Sequence, residues 1–403
     1  MKHVIGIIAE YNPFHNGHHW QIKQCKKMFG DVPVIAVMSG HFTQRGYPAI
    51  LDKWKRAQMA VYGGVDLVLE LPFLAACKSA QFFATRALEI LNSTNIVSHL
   101  CFGAECADIK TLQQLSEISQ SENFSIQLKT QLESGISYAA AIGNVFKNLM
   151  PSTPETIMQP NNILAIEYLK VLSATKFNIQ PVALQRKDAG YLDREIKGNI
   201  ASASAIREYL FGKELSQKVL STLPEKSAEI LLRTIGEKNL LNDSASFEKL
   251  IFYRLRQLES TQILQIADIS EGLENLFKKA AHNSSSLSQL IEQTVSKRYA
   301  KTRITRAFCQ LLVLNNGDEK LSFSPYMRIL AFNEQGRNLI RNMHSKAAAP
   351  VITNLPNFYH KCTEESIKNS LKIDNRATDI YQLLLGKNQS GLDFRQTPVY
   401  VRK

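Results

Sequence analysis

The sequence predicts an α/β fold with a parallel sheet, followed by a mostly helical C-terminal region that contains a small mixed α/β piece. Short, uniformly apolar segments alternate with segments of helical spacing through the first half of the chain. Such strands are typical of a parallel sheet that helices cover on both faces. Beyond about residue 215, long helical patterns dominate. The 403 residues, 44% of them hydrophobic, are enough for two or three domains with buried cores.

Five apolar segments are the predicted strands of this sheet. They are HVIGIIA (3–9), VPVIAVMSG (32–40), VDLVLELP (65–72), IVSHLCFG (96–103) and NIQPVALQR (178–186). The predicted helix 52–64 has Asp52 at its N-cap and a Gly-Gly pair as its stop signal. The other helical segments of this half are 16–30, 74–91, 108–148, 161–173 and 204–212.

Near residues 212–216 the alternation of strand-like and helical segments gives way to mainly helical patterns. We therefore predict two regions, 1–215 and 216–403. The second region has helical patterns at 247–259, 287–300 and 304–313. A strand–helix–strand pattern follows over 327–355, and it is the predicted mixed piece.

Composition narrows the functional class. No apolar run approaches the ~20 residues of a membrane helix, and Glu10 interrupts the N-terminal apolar run, which is too short for a signal peptide. The six cysteines form no CxxC motif, so free, mostly buried thiols in a reducing compartment are expected. The sequence therefore predicts a cytoplasmic protein without membrane contact.

The net charge of +12 is concentrated in the second region. Residues 216–403 hold 27 Lys and Arg against 18 Asp and Glu, whereas residues 1–215 hold 21 against 18. An excess of this kind favours a polyanionic partner, with nucleic acid ahead of a membrane surface. A generally basic, soluble protein is the alternative interpretation.

The segment IGIIAEYNPFHNGHHW (5–20) is the main candidate for a site. Asn12-Pro13 predicts a turn after the first strand, and His18 falls in the first turn of the next helix. A helix N-terminus at the carboxyl end of a parallel strand is a ready anion site. His15 and His18 are three residues apart and can donate to the same phosphate. Ordinary polar residues at a helix start, or metal ligands, are the alternatives, although zinc would need further Cys or His.

Two segments carry a resemblance to a known family. FHNGH (14–18) resembles the [HT]xGH signature of the nucleotidylyltransferase superfamily, which has a Rossmann-like domain. IASASAIREYL (200–210) is similar to its ISSTxIR motif, in which hydroxyls and an arginine hold nucleotide phosphates. Ser202, Ser204 and Arg207 match that motif, while Ala203 departs from it and leaves one fewer donor.

Longer segments narrow the resemblance to the tRNA(Met) cytidine acetate ligase family. They are AEYNPFHNGH, SGHFTQRGYPAILDKWKRAQMA (39–60), GVDLVLELP (64–72), FGAE (102–105) and PNNILAIEYLK (160–170). The resemblance implies that ATP activates acetate as acetyl-adenylate. The acetyl group then passes to N4 of the wobble cytidine, C34, of elongator tRNA(Met).

The resemblance also implies the site residues. His15, His18 and Arg207 would be catalytic, supplying donors and positive charge to the phosphates. The implied ATP contacts are Ile7, Ile8, Ala9, Glu10, Tyr11, Asn12, Pro13, Phe14, His15, Asn16, Gly17, His18, Gly103, Asn161 or Asn162, Arg186, Ser202 and Ser204. Mg²⁺ is expected with ATP, but the sequence shows no dedicated metal cage.

Purely structural roles are the alternative interpretation of several of these residues. Gly103 can be a plain strand-ending turn, and one of Asn161 and Asn162 can simply cap the following helix. Arg186 can form a surface salt bridge.

The segment SKRYAKTRITR (296–306) is the predicted tRNA contact. Its basic residues surround an aromatic ring, a combination that suits an RNA backbone and a stacked base. The residues are Lys297, Arg298, Tyr299, Lys301, Arg303 and Arg306. A solvated helix face is the alternative.

Two other functions are compatible with parts of the sequence. A small-molecule adenylyltransferase of cofactor biosynthesis would share the site motifs but would not need the basic C-terminal half. A non-catalytic RNA-binding protein with a relic nucleotide site would not need an intact FHNGH segment.

Overall fold

The central sheet has the predicted parallel core. The computed structural model describes residues 3–186, 196, 198–212, 216–241, 244–266, 269–270, 272–318 and 322–402. The parallel strands are β1 (Ile5–Ala9), β2 (Val34–Ser39), β3 (Leu67–Leu71), β4 (His99–Ala104) and β5 (Gln180–Gln185). They lie in the order β5-β4-β1-β2-β3, which confirms the predicted α/β class.

Helices cover both faces of this sheet. In β2, Ile35 and Val37 face one hydrophobic core while Val34 and Ala36 face the other, which explains why the strands carry no polar alternation. The helices of this half are α1 (Asn16–Phe29), α2 (Lys53–Tyr62), α3 (Phe73–Ala76), α4 (Ala80–Ser93), α5 (Ile109–Ile118), α6 (Glu122–Glu133), α7 (Tyr138–Leu149), a short 3₁₀ turn (Glu155–Met158), α8 (Pro160–Ala174) and α9 (Ala203–Gly212). Asp52 caps α2 as predicted, with Oδ1 accepting from the Lys55 N–H at 2.8 Å.

The second half of the chain is mainly helical, as predicted. Its helices are α10 (Gln217–Leu220), α11 (Glu225–Gly236), α12 (Ala245–Gln257), α13 (Ser260–Leu264), α14 (Leu273–Asn283), α15 (Leu287–Thr294), α16 (Lys301–Val313), α17 (Glu334–Lys346), α18 (Leu355–Lys361), α19 (Glu365–Leu384) and α20 (Leu392–Arg395). Helices α12 to α16 and α19 share a third hydrophobic core. The predicted helix 287–300 is too long, since α15 ends at Thr294. None of the described helices has the length and apolar character needed to span a bilayer.

The mixed piece extends the same sheet. Strands β6 (Met327–Phe332), β7 (Val351–Ile352) and β8 (Val399–Tyr400) flank α17, and β6 pairs antiparallel with β3. The Asp66 carboxylate, at the start of β3, accepts from the Val34 N–H and from Asn333 Nδ2. The division of the chain near residue 215 stays a prediction, and the sheet crosses it.

The sheet opens between β1 and β4. These two strands pair only at Ile5–His99 and Gly6–Leu100, whereas β1 follows β2 to its last residue and β4 follows β5 to its last residue. The chain order reverses at this point, which makes it the switch point where open α/β sheets bind ligands. The carboxyl ends of β1 and β4 therefore border a crevice.

Candidate active site

The loop after β1 is held by hydrogen bonds from several elements. Glu10 Oε1 accepts from the Gln44 N–H at 2.7 Å, and Asn12 Oδ1 accepts from the Ile50 N–H at 3.0 Å. Asn16 Nδ2 donates to the Asn199 carbonyl at 2.7 Å. These contacts fix the backbone that carries the histidines before any ligand arrives.

Arg56 joins the ends of β1 and β2. Its side chain is fully buried, and its guanidinium donates to the Glu10 carbonyl at 2.6 Å, to the Ser39 carbonyl at 3.1 Å and also to the Gly40 carbonyl. Nε donates to the Leu51 carbonyl at 3.1 Å. The sequence places Arg56 beside the site, where phosphate or tRNA contact was possible, but a basic residue in a helix gives no sign that its head will be buried.

Backbone groups set the tautomers of the two histidines. His15 is the N-cap of α1, and its Nδ1 accepts from the Gly17 N–H at 3.1 Å. His18 Nδ1 accepts from the His15 N–H at 3.2 Å. An amide N–H can only donate, so each neutral ring carries its proton on Nε2. The rings stack with centroids 3.7 Å apart and thus present two Nε2–H donors side by side.

The histidines are neutral at physiological pH. Burial, with the positive charges of Arg186 and Arg207, lowers the pKa of His15 to about 3. Burial, with His15 and Arg186, holds the pKa of His18 well below its usual range. The pair therefore supplies hydrogen-bond donors rather than cations.

His19 faces a different environment. Its Nδ1 lies 2.8 Å from the Gly63 carbonyl, which can only accept, so Nδ1 carries the proton. This contact ties α1 to the end of α2.

Arg207 and Ser204 reach the same loop from α9. Arg207 Nη1 donates to the Asn12 carbonyl at 2.7 Å, and Nη2 donates to Ser204 Oγ at 3.2 Å. Ser202 is buried, and its Oγ accepts from the Ala205 N–H at 3.1 Å, which is an N-cap interaction. The second motif therefore lies against the histidine loop.

The far wall of the crevice is formed after β4. Arg186 Nε lies 3.9 Å from Glu105 Oε1, and a side chain at Gly103 would meet the aliphatic part of Arg186 at 3.3 Å. Glu105 also accepts from Asn161 Nδ2 and from the Asn162 N–H. Gly103 thus leaves room for the Arg186 side chain at this edge.

The two asparagines have different roles in the structure. Asn162 is fully buried, with Oδ1 accepting from the Cys106 N–H at 2.9 Å and Nδ2 donating to the Thr156 carbonyl at 2.8 Å. Asn161 is only half-buried. Asn162 therefore holds the loops together, whereas the Asn161 side chain stays partly accessible.

The basic segment 296–306 differs from the prediction in two residues. Tyr299 is only 7% exposed, with the guanidiniums of Arg298 and Arg303 5.7 and 5.4 Å from its ring centroid, so it offers no open face to a base. Arg306 is also buried, since α16 packs against the loop that holds Gly46. Lys297, Arg298 and Lys301 are exposed. The expected stacking site at Tyr299 is therefore wrong for this conformation.

The described residues form no group of three or more His, Cys, Asp or Glu that could hold a metal ion. Among the described acids near the crevice, Glu10 accepts from a backbone amide and Glu105 accepts from two asparagines. Neither carboxylate belongs to a ready-made ligand cluster among the described residues.

Comparisons with known proteins cover nearly the whole chain. The sequence profile described as HIGH Nucleotidyl Transferase matches residues 1–395. The tRNA(Met) cytidine acetate ligase of Alkaliphilus metalliredigens is 38% identical over 421 residues, with 99% of each chain covered. The protein of that name from Acetivibrio thermocellus is 37% identical over 410 residues, with 98% of each chain covered.

Two crystal structures of Thermotoga maritima TmcAL are similar over their full length. The apo form has a TM-score of 0.92 and 30% identity, with 100% of both chains covered. The form bound with alpha-thio ATP has a TM-score of 0.90 at the same identity and coverage. The likeness therefore includes the C-terminal helices as well as the sheet.

Proposed function

The chain belongs to the tRNA(Met) cytidine acetate ligase family of HIGH-type nucleotidyltransferases, and we propose that the crevice between β1 and β4 is where it activates acetate with ATP. The enzyme is an ATP-dependent ligase that acts on tRNA(Met). The histidine pair is the main support for placing acetate activation in this crevice. Two neutral imidazoles, each with Nδ1 engaged by a backbone amide, keep their Nε2–H groups for a ligand.

In the first step, an acetate oxygen attacks the α-phosphorus of ATP, and the bond to the β-phosphate oxygen breaks. Acetyl-adenylate forms and pyrophosphate leaves with the negative charge. The Nε2–H groups of His15 and His18 stabilise that charge on phosphate oxygens, and the guanidiniums of Arg186 and Arg207 add positive potential. No protein base is needed, because acetate is already ionised near neutral pH.

In the second step, the N4 amine of the wobble cytidine of elongator tRNA(Met) attacks the acetyl carbonyl. The carbonyl–phosphate bond breaks, AMP leaves, and the amine loses a proton. Alignment of the two reactants supplies most of the acceleration for such an acyl transfer. The product is N4-acetylcytidine.

The ATP contacts follow from the walls of the crevice. They are the loop residues 7–18 with Gly103, Asn161, Arg186 and Ser204 at its rim. Asn162 and Ser202 have a supporting role in this proposal. Asn162 is fully buried and bonds the Thr156 carbonyl, and Ser202 caps α9. Mg²⁺ accompanies ATP as part of the substrate, held by phosphate oxygens and water.

The tRNA approaches the basic C-terminal half. Lys297, Arg298 and Lys301 are exposed and are proposed to contact its phosphate backbone. The reaction is assigned to the cytoplasm, where ATP, acetate and tRNA are present together.

Acetate-dependent ATP–pyrophosphate exchange, measured without RNA, tests this assignment. The parent protein should exchange label only when acetate is present, and His18→Ala should lower the rate at least a hundredfold. Affinity for tRNA should stay within about twofold of the parent, since His18 is not among the exposed basic residues proposed to contact the tRNA. An unchanged exchange rate in His18→Ala would remove the phosphate role of the pair. Exchange without acetate would favour a small-molecule adenylyltransferase.

A further inference from the structure

Helix α12 presents an open groove outside the crevice. Lys249, Tyr253 and Arg256 recur at helical spacing along one face of α12 and line the groove, which has a volume of about 590 Å³. Ser284 and Ser285 line it from the connection between α14 and α15. The remaining lining residues are Glu248, Phe252 and Gln257.

The groove combines a flat ring with positive charge. Tyr253 is 57% exposed, and among the described residues of the C-terminal half it is the most exposed aromatic side chain. Lys249 and Arg256 are exposed beside it, and the Arg256 guanidinium lies 5.5 Å from the Phe252 ring centroid. An exposed ring between two cations matches a nucleotide, whose base can stack while its phosphates meet the charges.

Polar groups in the wall add a second indication of a ligand. Ser284 is 7% exposed, and its Oγ has no hydrogen-bond partner among the described residues. Glu248, the single acid among the described residues that line the groove, uses Oε2 to accept from the Leu287 N–H at 2.6 Å. The acid is therefore committed to capping α15, while a buried hydroxyl remains for a base or ribose.

The helix that carries the groove is docked to the active-site loops. The Phe247 ring, in the first turns of α12, lies 6.5 Å from the ring of Tyr47. Tyr47 belongs to the loop after β2, whose Gln44 N–H donates to Glu10 at the crevice. The start of α12 is thus packed against a loop that borders the proposed ATP site.

We propose that this groove binds an unstacked nucleotide of the tRNA substrate, with its base against Tyr253 and its phosphates beside Lys249 and Arg256. The proposal rests on the proposed function, which makes tRNA the acceptor. It replaces Tyr299, which is buried, as the stacking residue of the C-terminal half.

The test measures the affinity of the full-length protein for a tRNA(Met) transcript by fluorescence anisotropy at several salt concentrations. Tyr253→Ala should weaken binding about tenfold or more, whereas Tyr253→Phe should bind like the parent because it keeps the ring. The Lys249→Ala/Arg256→Ala variant should also weaken binding and reduce the slope of log K against log salt by about two. Tyr138→Ala, which removes an equally exposed ring from α7, is the matched control and should change nothing.

Acetate-dependent ATP–pyrophosphate exchange without RNA is the second readout. It should be unchanged in all four variants, since none lies at the crevice. If the parent protein catalyses ATP–pyrophosphate exchange but binds no tRNA, both the assignment of tRNA as acceptor and the groove proposal are contradicted. If Tyr253→Ala and the double variant bind tRNA as tightly as the parent does, the groove proposal is overturned while the acceptor assignment stands. Loss of self-association in these variants at unchanged tRNA affinity would assign the surface to a second copy of the chain and overturn the proposal.

Discussion

Single side chains at the crevice act through contacts with the backbone. His15 and His18 become Nε2–H donors because backbone amides donate to their Nδ1 atoms. The Arg56 guanidinium donates hydrogen bonds to carbonyl groups at the ends of β1 and β2. An arginine with several carbonyl partners at a buried site fixes geometry that no single hydrogen bond could fix. The two imidazoles are therefore positioned by backbone amides, and the loop that carries them is held by a buried arginine.

Arg56→Lys tests this positioning. Lysine keeps the charge but cannot reach the Glu10 and Ser39 carbonyls together, so the loop after β1 should loosen. We expect acetate-dependent exchange to fall about tenfold or more, with a higher KM for ATP. The control is Lys55→Met, which removes a surface pair with Glu237 and should leave the kinetics unchanged. A normal KM in Arg56→Lys would show that the guanidinium fork is dispensable.

The buried histidines predict how stability depends on pH. The folded pKa of His15 is about 3, while an unfolded histidine titrates near 6.5. Between these values the unfolded chain binds the proton and the folded chain does not. The free energy of unfolding is therefore fully retained above about pH 6.5 and falls as the pH drops towards 3, by up to about 1.4 kcal/mol per pH unit for each such group.

His15→Gln should make that acid-induced loss shallower. Urea unfolding at a series of pH values between the two pKa values measures it. His344→Gln, which replaces an exposed histidine on α17, is the control and should follow the parent. Equal slopes for the parent and His15→Gln would mean that His15 is protonated in the folded chain.

At the scale of elements, the loop before α1 is packed against the end of α2. Phe14 is fully buried, and a Cβ at Gly63 would come within 2.2 Å of its ring. The strands β1 and β4 part after two paired residues, which opens the crevice beside this contact. The histidine loop and the α2 terminus are therefore one packing unit.

Gly63→Ala should disturb this unit. The added methyl group has to displace the Phe14 ring, and overpacking of this kind costs about 1–3 kcal/mol. We expect a lower free energy of unfolding in urea together with slower acetate-dependent exchange. Gly236→Ala is the matched control, because no atom of the described residues lies within 4 Å of its Cβ position and α11 should gain up to about 1 kcal/mol from alanine. Parent-like stability and exchange in Gly63→Ala would contradict the packing argument.

The helices, strands and loops differ in how well the sequence predicts them. Local patterns were enough for the parallel strands, the N-cap at Asp52 and the FHNGH loop, because each depends on neighbours in the chain. The burial of Tyr299 was missed because a break after α15 turns the ring inward, and charge spacing alone does not reveal such a break. The opening between β1 and β4 depends on residues far apart in sequence, so no local signal marks it.

At the scale of the molecule, a buried ionic cluster joins the two halves of the chain. Lys53 Nζ lies 2.6 Å from Glu70 Oε1 and 2.8 Å from Asp393 Oδ1, and Arg328 contacts both carboxylates. These four side chains come from α2, β3, β6 and α20, and all are almost fully buried. Glu70 of β3 therefore has one partner that is near in sequence, Lys53, and one that is far away, Arg328.

Asp393→Asn tests whether this cluster makes the chain unfold as one unit. The change leaves Glu70 as the remaining ion-pair partner of Lys53 and Arg328 among the described residues, and breaking a buried pair costs about 3–5 kcal/mol. Both tryptophans, Trp20 and Trp54, lie in the first half. Their fluorescence therefore reports that half, whereas circular dichroism reports the helices of both. In urea, both signals should shift together to lower concentration, because the lost contact belongs to the shared sheet. Glu334→Gln, which removes an exposed pair with Arg337, should cost less than about 1 kcal/mol. A fluorescence transition that stays in place while the dichroism transition moves would show that the halves are stabilised separately.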